Sequence, residues 1–233
     1  MPDSRSRILN SIRQSLASAR HLPPKPDVAL SPPSRITDHA SLAQRFADEL
    51  GKLSGVFIAT PMAEAPALVA RLLHERRATQ LLAWDQSELP VPGLLNHLRA
   101  EGFETMNGQL PHDNPARAKA LEEVEQLKVG LTGADAALAD TATLALRFGP
   151  GRPRLASLSV RTHIALFTPD QLYPSWAGWW ASFSEPARAE WVRAASNLVL
   201  ISGPSRTADI EMTLTVGVHG PAEVIAVLCA PSA

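Results

Sequence analysis

The sequence predicts an α/β protein built on a mixed or mostly parallel sheet, and three observations predict it. Apolar runs of strand length recur along the chain, helical periodicities separate the first of them, and 45% of the 233 residues are hydrophobic, which is ample for a buried core. The run GVFIAT at 55–60 is short and β-branched, hence a strand. Residues 64–77 then carry Leu68 and Leu72, with Val69 and Leu73 beside them, at helical spacing, and QLLAW at 80–84 is the next strand. A crossover helix is the usual way to join parallel neighbours, so this order argues for parallel connections. A helix at 92–100 and a short strand around Phe103 extend the pattern. Upstream, Leu42, Phe46 and Leu50 align on a helix at 41–50, with Gly51 as its stop signal.

The second half differs in texture. After a helix at 116–127, the runs KVGLTG, ATLALRF, THIALFT, NLVLIS and EVIAVLC form a succession of strands separated by polar loops rich in Gly and Pro. Trp176, Trp179, Trp180 and Trp191 fall in a helical insertion between two of these strands, where packing is favoured over aromatic ligand recognition. At the other end of the chain, Ile8, Ile12 and Leu16 make one stripe of an amphipathic helix, followed by a Pro-rich stretch that cannot continue it. The chain therefore divides into a helix and arm at 1–37 and an α/β domain at 38–233. The first helix either packs on a partner subunit of a homo-oligomer, lies across the main domain, or is poorly ordered.

Charge and composition exclude several functions. With 22 Lys plus Arg against 23 Asp plus Glu, no broad field draws the protein onto nucleic acid or an anionic membrane. No run of 18 uninterrupted apolar residues and no apolar signal segment is present, which makes the cytoplasm the expected location. Cys229 is the lone cysteine, so the chain has neither a disulfide nor the ligands for an iron-sulfur cluster, and no intrinsic cofactor is expected. The seven histidines form no HExxH and no close pair, so no metal site is expected. GxGxxG, GxxxxGK[ST] and GxSxG are all absent.

Two segments concentrate polar groups beside strands. In SGPSRTAD, Ser205 and Thr207 stand where a strand would turn into a helix, and free N–H groups there would receive an anion, with Arg206 as a bidentate donor. The competing reading has Ser205, Thr207 and Asp209 capping a turn while Arg206 pairs with Asp209 or Glu211. Arg147, Arg152 and Arg154 flank the FGPGRPR loop, either contacting a phosphate or carboxylate or standing as solvated surface charges. Asp135 and Asp140 converge only if folding brings them together, and Asp140 beside Thr141 and Thr143 suits a hydrogen-bonded turn. His163 and His219 are candidates for polar contacts or proton transfer, each with a structural alternative beside a strand or turn. Residues 131–143 and 203–211 are expected to converge, since loops at strand ends of open α/β sheets meet in a crevice.

The same residues carry a family resemblance. Gly130, Thr132, Ala134 and Asp135, then Ala139, Asp140, Thr141, Ala142 and Thr143, then Arg154, Leu155, Ser157, Leu158, His163 and Ile164 follow the core pattern of the LUD domain. A second match runs through Gly203, Pro204, Ser205, Thr207, Asp209, Ile210 and Glu211 to His219, Gly220 and Pro221. The chain resembles the LUD-domain lactate-utilisation proteins of the LutC type (the LutC/YkgG family). Asp140 stands where that pattern has Glu, and Ala142 where it has Gly, which removes a residue tolerant of left-handed backbone. The resemblance implies a three-layer fold similar to the NagB, RpiA and CoA-transferase group. It further implies a part in oxidising L-lactate to pyruvate with LutA-like and LutB-like partners that carry iron-sulfur clusters. Ligand-binding candidates on this basis are Thr132, Asp135, Asp140, Thr141, Thr143, Arg154, Ser157, His163, Ser205, Arg206, Thr207, Asp209, Glu211 and His219, serving a small anionic metabolite.

Overall fold

The computed structural model describes residues 3–18, 38–111, 113–208 and 214–231. Contacts divide the chain into two units, residues 1–32 and 33–233. In the first unit, helix α1 (Ser4–Ser18) carries the expected stripe, and Ile8, Ile12 and Leu16 on it are exposed.

The second unit begins with α2 (His39–Lys52), whose N-terminus is capped by Asp38 accepting from the Ser41 N–H at 2.9 Å. It buries Leu42, Phe46 and Leu50, the stripe its spacing predicts. In chain order there follow β1 (Val56–Pro61), α3 (Ala65–Glu75), β2 (Gln80–Ala83), α4 (Leu94–Ala100), β3 (Glu104–Met106), α5 (Asn114–Glu125) and β4 (Val129–Gly133). The hairpin β5 (Ala136–Leu138) and β6 (Thr143–Phe148) precedes α6 (Leu155–Leu158) and β7 (Thr162–Phe167). The chain continues through β8 (Leu172–Tyr173), α7 (Trp176–Ala181), α8 (Glu185–Arg193), β9 (Asn197–Ile201), β10 (Arg206–Ala208), β11 (Leu214–Val216) and β12 (Glu223–Ala230).

Six strands form one parallel sheet in the order β1-β12-β7-β4-β2-β3. Strands buried on both faces read as continuous apolar runs, and THIALF of β7 and VGLTG of β4 are buried at every position. Phe46 anchors α2 to this sheet, with ring centroids 5.6 Å from Phe167 and 5.8 Å from Phe57. A second, mixed sheet has the order β8-β5-β6-β9. Its residues alternate between two cores. Ala137, Leu144, Leu146 and Phe148 join the main core, while Ala136, Leu138 and Ala145 pack with Trp179. The tryptophan insertion thus covers one face of this sheet, with Trp179 and Trp191 edge to face at 5.2 Å and Trp176 and Trp180 stacked at 5.5 Å.

One expected element differs. SGPSRTAD leads from strand to turn to strand, not to a helix, because Arg206–Ala208 pairs antiparallel with Leu214–Val216 as a two-stranded ribbon.

Candidate functional site

The strands β2 and β4 end side by side, and the loop at 149–154 folds back over them. The Asp85 N–H donates to the Gly151 carbonyl at 2.8 Å, which fixes this loop at the C-terminal edge of the parallel sheet. Asp135 is the hub. Its carboxylate accepts from the Arg147 N–H at 2.7 Å, from Arg147 Nε at 3.1 Å and from Arg152 Nη1 at 2.9 Å. Arg152 Nε donates in turn to Glu88 at 2.5 Å. Both guanidiniums also lie over indole rings, Arg147 at 4.5 Å from Trp191 and Arg152 at 5.1 Å from Trp84. Burial works against the charge on Arg152, but Asp135 and Glu88 outweigh it and hold its pKa above the ordinary value. A cavity of about 170 Å³ opens here, lined by Glu88, Arg147, Phe148, Gly149, Pro150 and Arg152. Two cations face two carboxylates, so the cluster is neutral in sum and each charge already has a partner.

Deeper in the same sheet, Thr132 Oγ1 and His163 Nε2 lie 2.8 Å apart, both fully buried on neighbouring strands. Burial pushes the His163 pKa down to about 4, so the ring is neutral at pH 7. Its Nδ1 has no hydrogen-bond partner among the described residues. Gly130, on the same strand as Thr132, admits the close approach of α6: a Cβ there would sit 1.8 Å from the Ala156 carbonyl oxygen. Ser157, buried on α6, donates to the Arg154 carbonyl at 3.2 Å. His163, Thr132 and Ser157 therefore build the interior. Arg154 is exposed at the start of α6.

Asp140 and Thr141 occupy the turn of the β5–β6 hairpin, at the end opposite Asp135. Thr141 Oγ1 donates to Asp140 at 3.2 Å, and Thr143 Oγ1 lies 2.8 Å from Thr141 Oγ1 and 2.7 Å from Ser202 Oγ. Folding thus places Asp135 and Asp140 in different clusters and makes no acid pair of them. Ala142 holds the left-handed conformation itself, at φ +47°, and is fully buried. The departure from glycine therefore keeps the backbone geometry and accepts its strain, a correction to the expected loss.

Around the second motif, Gly203 turns at φ +80° against Leu53, where a Cβ would meet the Leu53 Cβ at 2.8 Å. Ser205 and Thr207 cap no helix, because none begins there: Thr207 lies within the ribbon, and the Ser205 N–H donates to the Pro221 carbonyl at 2.8 Å. Arg206 Nη2 donates to the Leu53 carbonyl at 2.6 Å and to Ser54 Oγ at 3.3 Å, so it ties the ribbon to the turn before β1. Asp209 and Glu211, offered as partners or ligands, lie outside the described residues. His219 is exposed in the turn after β11.

The expected convergence of 131–143 with 203–211 is approached but not reached among the described residues, the contact falling one position short of the second segment. β6 pairs with β9, Leu144 opposite Ile201, so that Thr143 touches Ser202 just ahead of Gly203. The hub around Asp135 needed Glu88, Trp84 and Trp191, which sequence reasoning did not select. Trp84 and Trp191 carried only a packing signal, and Glu88 lies in the half of the chain without motifs. Among the described residues, no group of three His, Cys, Asp or Glu side chains is placed to hold a metal ion. No described helix is long and apolar enough to cross a membrane.

Comparison with known proteins gives the chain its relatives. The LUD domain model matches residues 43–229. Lactate utilization protein C of Halalkalibacterium halodurans is 28% identical over 232 residues, covering 95% of each chain. The protein of the same name from a Geobacillus species is 30% identical over 70% of this chain and 68% of its own. A crystal structure of a DUF162 family protein from Deinococcus radiodurans covers 83% of this chain and 99% of its own at a TM-score of 0.56 and 20% identity, a likeness of fold.

Proposed function

Because the chain belongs to the LUD-domain family, we propose that it serves as an accessory or regulatory component of L-lactate utilisation. In this reading it supports the oxidation of L-lactate to pyruvate in the cytoplasm, beside LutA-like and LutB-like partners that carry the iron-sulfur clusters. The single lone cysteine, buried in β12 with its pKa raised to about 12 by burial, leaves that chemistry to the partners. The observation that carries the accessory role is the closed network of Asp135, Arg147, Arg152 and Glu88. In open α/β sheets the crevice at the strand ends is where reactive groups gather. Here those groups neutralise one another, an arrangement suited to holding a shaped surface and not to moving protons. The division into an arm at 1–37 and a domain at 38–233, and kinship with the NagB, RpiA and CoA-transferase fold, belong to the same proposal.

The test combines growth and turnover. Deleting the gene should abolish growth on L-lactate, and the purified chain alone should not oxidise L-lactate with an artificial electron acceptor. Unimpaired growth of the deletion strain, or turnover by the lone chain, would overturn the accessory reading. The second reading, a stand-alone enzyme or sensor for a phosphorylated or carboxylated metabolite, draws its support from the opposite edge of the sheet, where a recess is lined by Arg161 and His219.

A further inference from the structure

At the N-terminal edge of the parallel sheet, the turn between α6 and β7 faces the turn that follows β11. Between them lies a recess of about 370 Å³, lined by Ser159, Val160, Arg161, Val218, His219 and Gly220, among others. The two walls are locked together. The Arg161 carbonyl accepts from the Ala222 N–H at 2.8 Å and from the Glu223 N–H at 3.1 Å, while its own N–H donates to the Lys128 carbonyl at 3.0 Å. A recess whose walls are fixed in advance loses little freedom when it is filled.

The charges around it are unevenly matched. Glu223 is the nearby carboxylate, and Arg76 takes it in a two-point bond at 2.6 and 2.7 Å while Thr162 Oγ1 donates to it at 2.9 Å. Arg76, foremost, holds the Glu223 carboxyl below its usual range. Arg161 bonds to no side chain among the described residues and feels the Glu223 carboxylate only from a distance, and Lys128 is exposed beside it. On the facing wall, the N–H groups of Val218, His219 and Gly220 find no acceptor among the described residues, and the His219 ring offers a donor in either tautomer.

We propose that this recess binds a small oxyanion of the phosphate class, inorganic phosphate or the phosphoryl group of a small metabolite, on Arg161, His219 and the peptide N–H groups of 218–220. The donors approach from two walls. A tetrahedral anion presents three or more oxygens in different directions and meets both, whereas a carboxylate offers two oxygens in one plane. Successive peptide N–H groups in a turn make a concavity suited to such an anion, and the guanidinium fork supplies paired donors from the other side. The site lies at the edge away from the Asp135 hub, so it acts on the protein as an effector site. It stands whether or not the chain serves lactate utilisation, and it makes the chain responsive to phosphate or phosphorylated metabolites.

The test is a titration of the full-length, nitrogen-15-labelled protein with inorganic phosphate, followed by amide resonances and calorimetry. Saturable shifts should appear at Val218, His219, Gly220 and Arg161. Arg161→Gln should weaken binding about tenfold or more, the equivalent of one charge-assisted hydrogen bond, and His219→Ala several-fold. Arg99→Gln, on the exposed face of α4, should leave binding unchanged. Parallel titrations with L-lactate and pyruvate should give weaker binding. The proposal is overturned if phosphate gives no saturable shift at 218–220, if folded Arg161→Gln binds it as tightly as the parent, or if the carboxylates bind more tightly than phosphate.

Discussion

Where the parallel strands end, Arg147 and Arg152 are spent on Asp135 and Glu88 and laid against tryptophan rings. Where the strands begin, Arg161 lines an open recess, and it is Arg76 that bonds the nearby Glu223 directly while Arg161 acts on that carboxylate only from a distance. The same residue type thus does two jobs. A guanidinium held between carboxylates at low exposure fixes geometry, because removing one partner strands a charge. One left beside unpaired N–H donors offers binding energy to a third party. The location of a charged residue in the sheet says less about its task than the count of opposite charges around it.

The sharpest way to break this comparison is Asp135→Ala. That change leaves two partly buried guanidiniums without their shared acceptor, Arg147 with 21% and Arg152 with 23% of its side chain exposed. The expected loss is about 3 kcal/mol, the low end for a broken buried pair because both arginines retain some solvent. Chemical denaturation measures it, and a loss below about 1 kcal/mol would show that the hub does not hold the edge together.

His163 tests the interior between the two edges. Its folded pKa of about 4 lies below the ordinary 6.5, so the folded state resists protonation. Stability from this group is complete above pH 6.5 and declines as pH falls from 6.5 towards 4, by up to about 3 kcal/mol. His163→Gln should flatten that slope between pH 6.5 and 5.5, above the range in which carboxylates titrate. Urea melts of both proteins across this window check it, and an unchanged slope would refute the assignment.

Smaller effects refine the contrast. Arg206→Lys removes the guanidinium whose Nη2 reaches both Leu53 and Ser54 from an exposed position, and should cost about 1 kcal/mol or less. Thermal melting would register a larger loss as a drop in Tm well beyond that of other surface changes. Arg161→Gln, in contrast to Asp135→Ala, should alter stability by no more than about 0.5 kcal/mol, since Glu223 keeps its direct bonds to Arg76 and Thr162. Ala142→Gly should also fall within about 0.5 kcal/mol. Relief of left-handed strain, about 1 kcal/mol, is offset by the loss of a buried methyl worth about 0.8 kcal/mol. A denaturation series on the two variants decides both.

By itself the sequence determined the local architecture and the family. The spacing of Leu42, Phe46 and Leu50 placed α2, the continuous apolar runs placed β4, β7 and β12, and the motif from Gly130 to Ile164 carried the resemblance, because periodicity and residue type act over a few positions of chain. The partners of charged side chains were decided only by the tertiary structure. Glu88 meets Arg152 across 64 positions, Arg76 meets Glu223 across 147, and Arg206 reaches Leu53 across 153. The helix expected after Ser205 failed for the same reason: a turn followed by polar residues is compatible with a cap or a ribbon, and pairing with Leu214–Val216 chose the ribbon. Pattern fixes which face of an element is buried. The order in which the sheet stacks its strands fixes which charges meet, and no short stretch of chain carries that order.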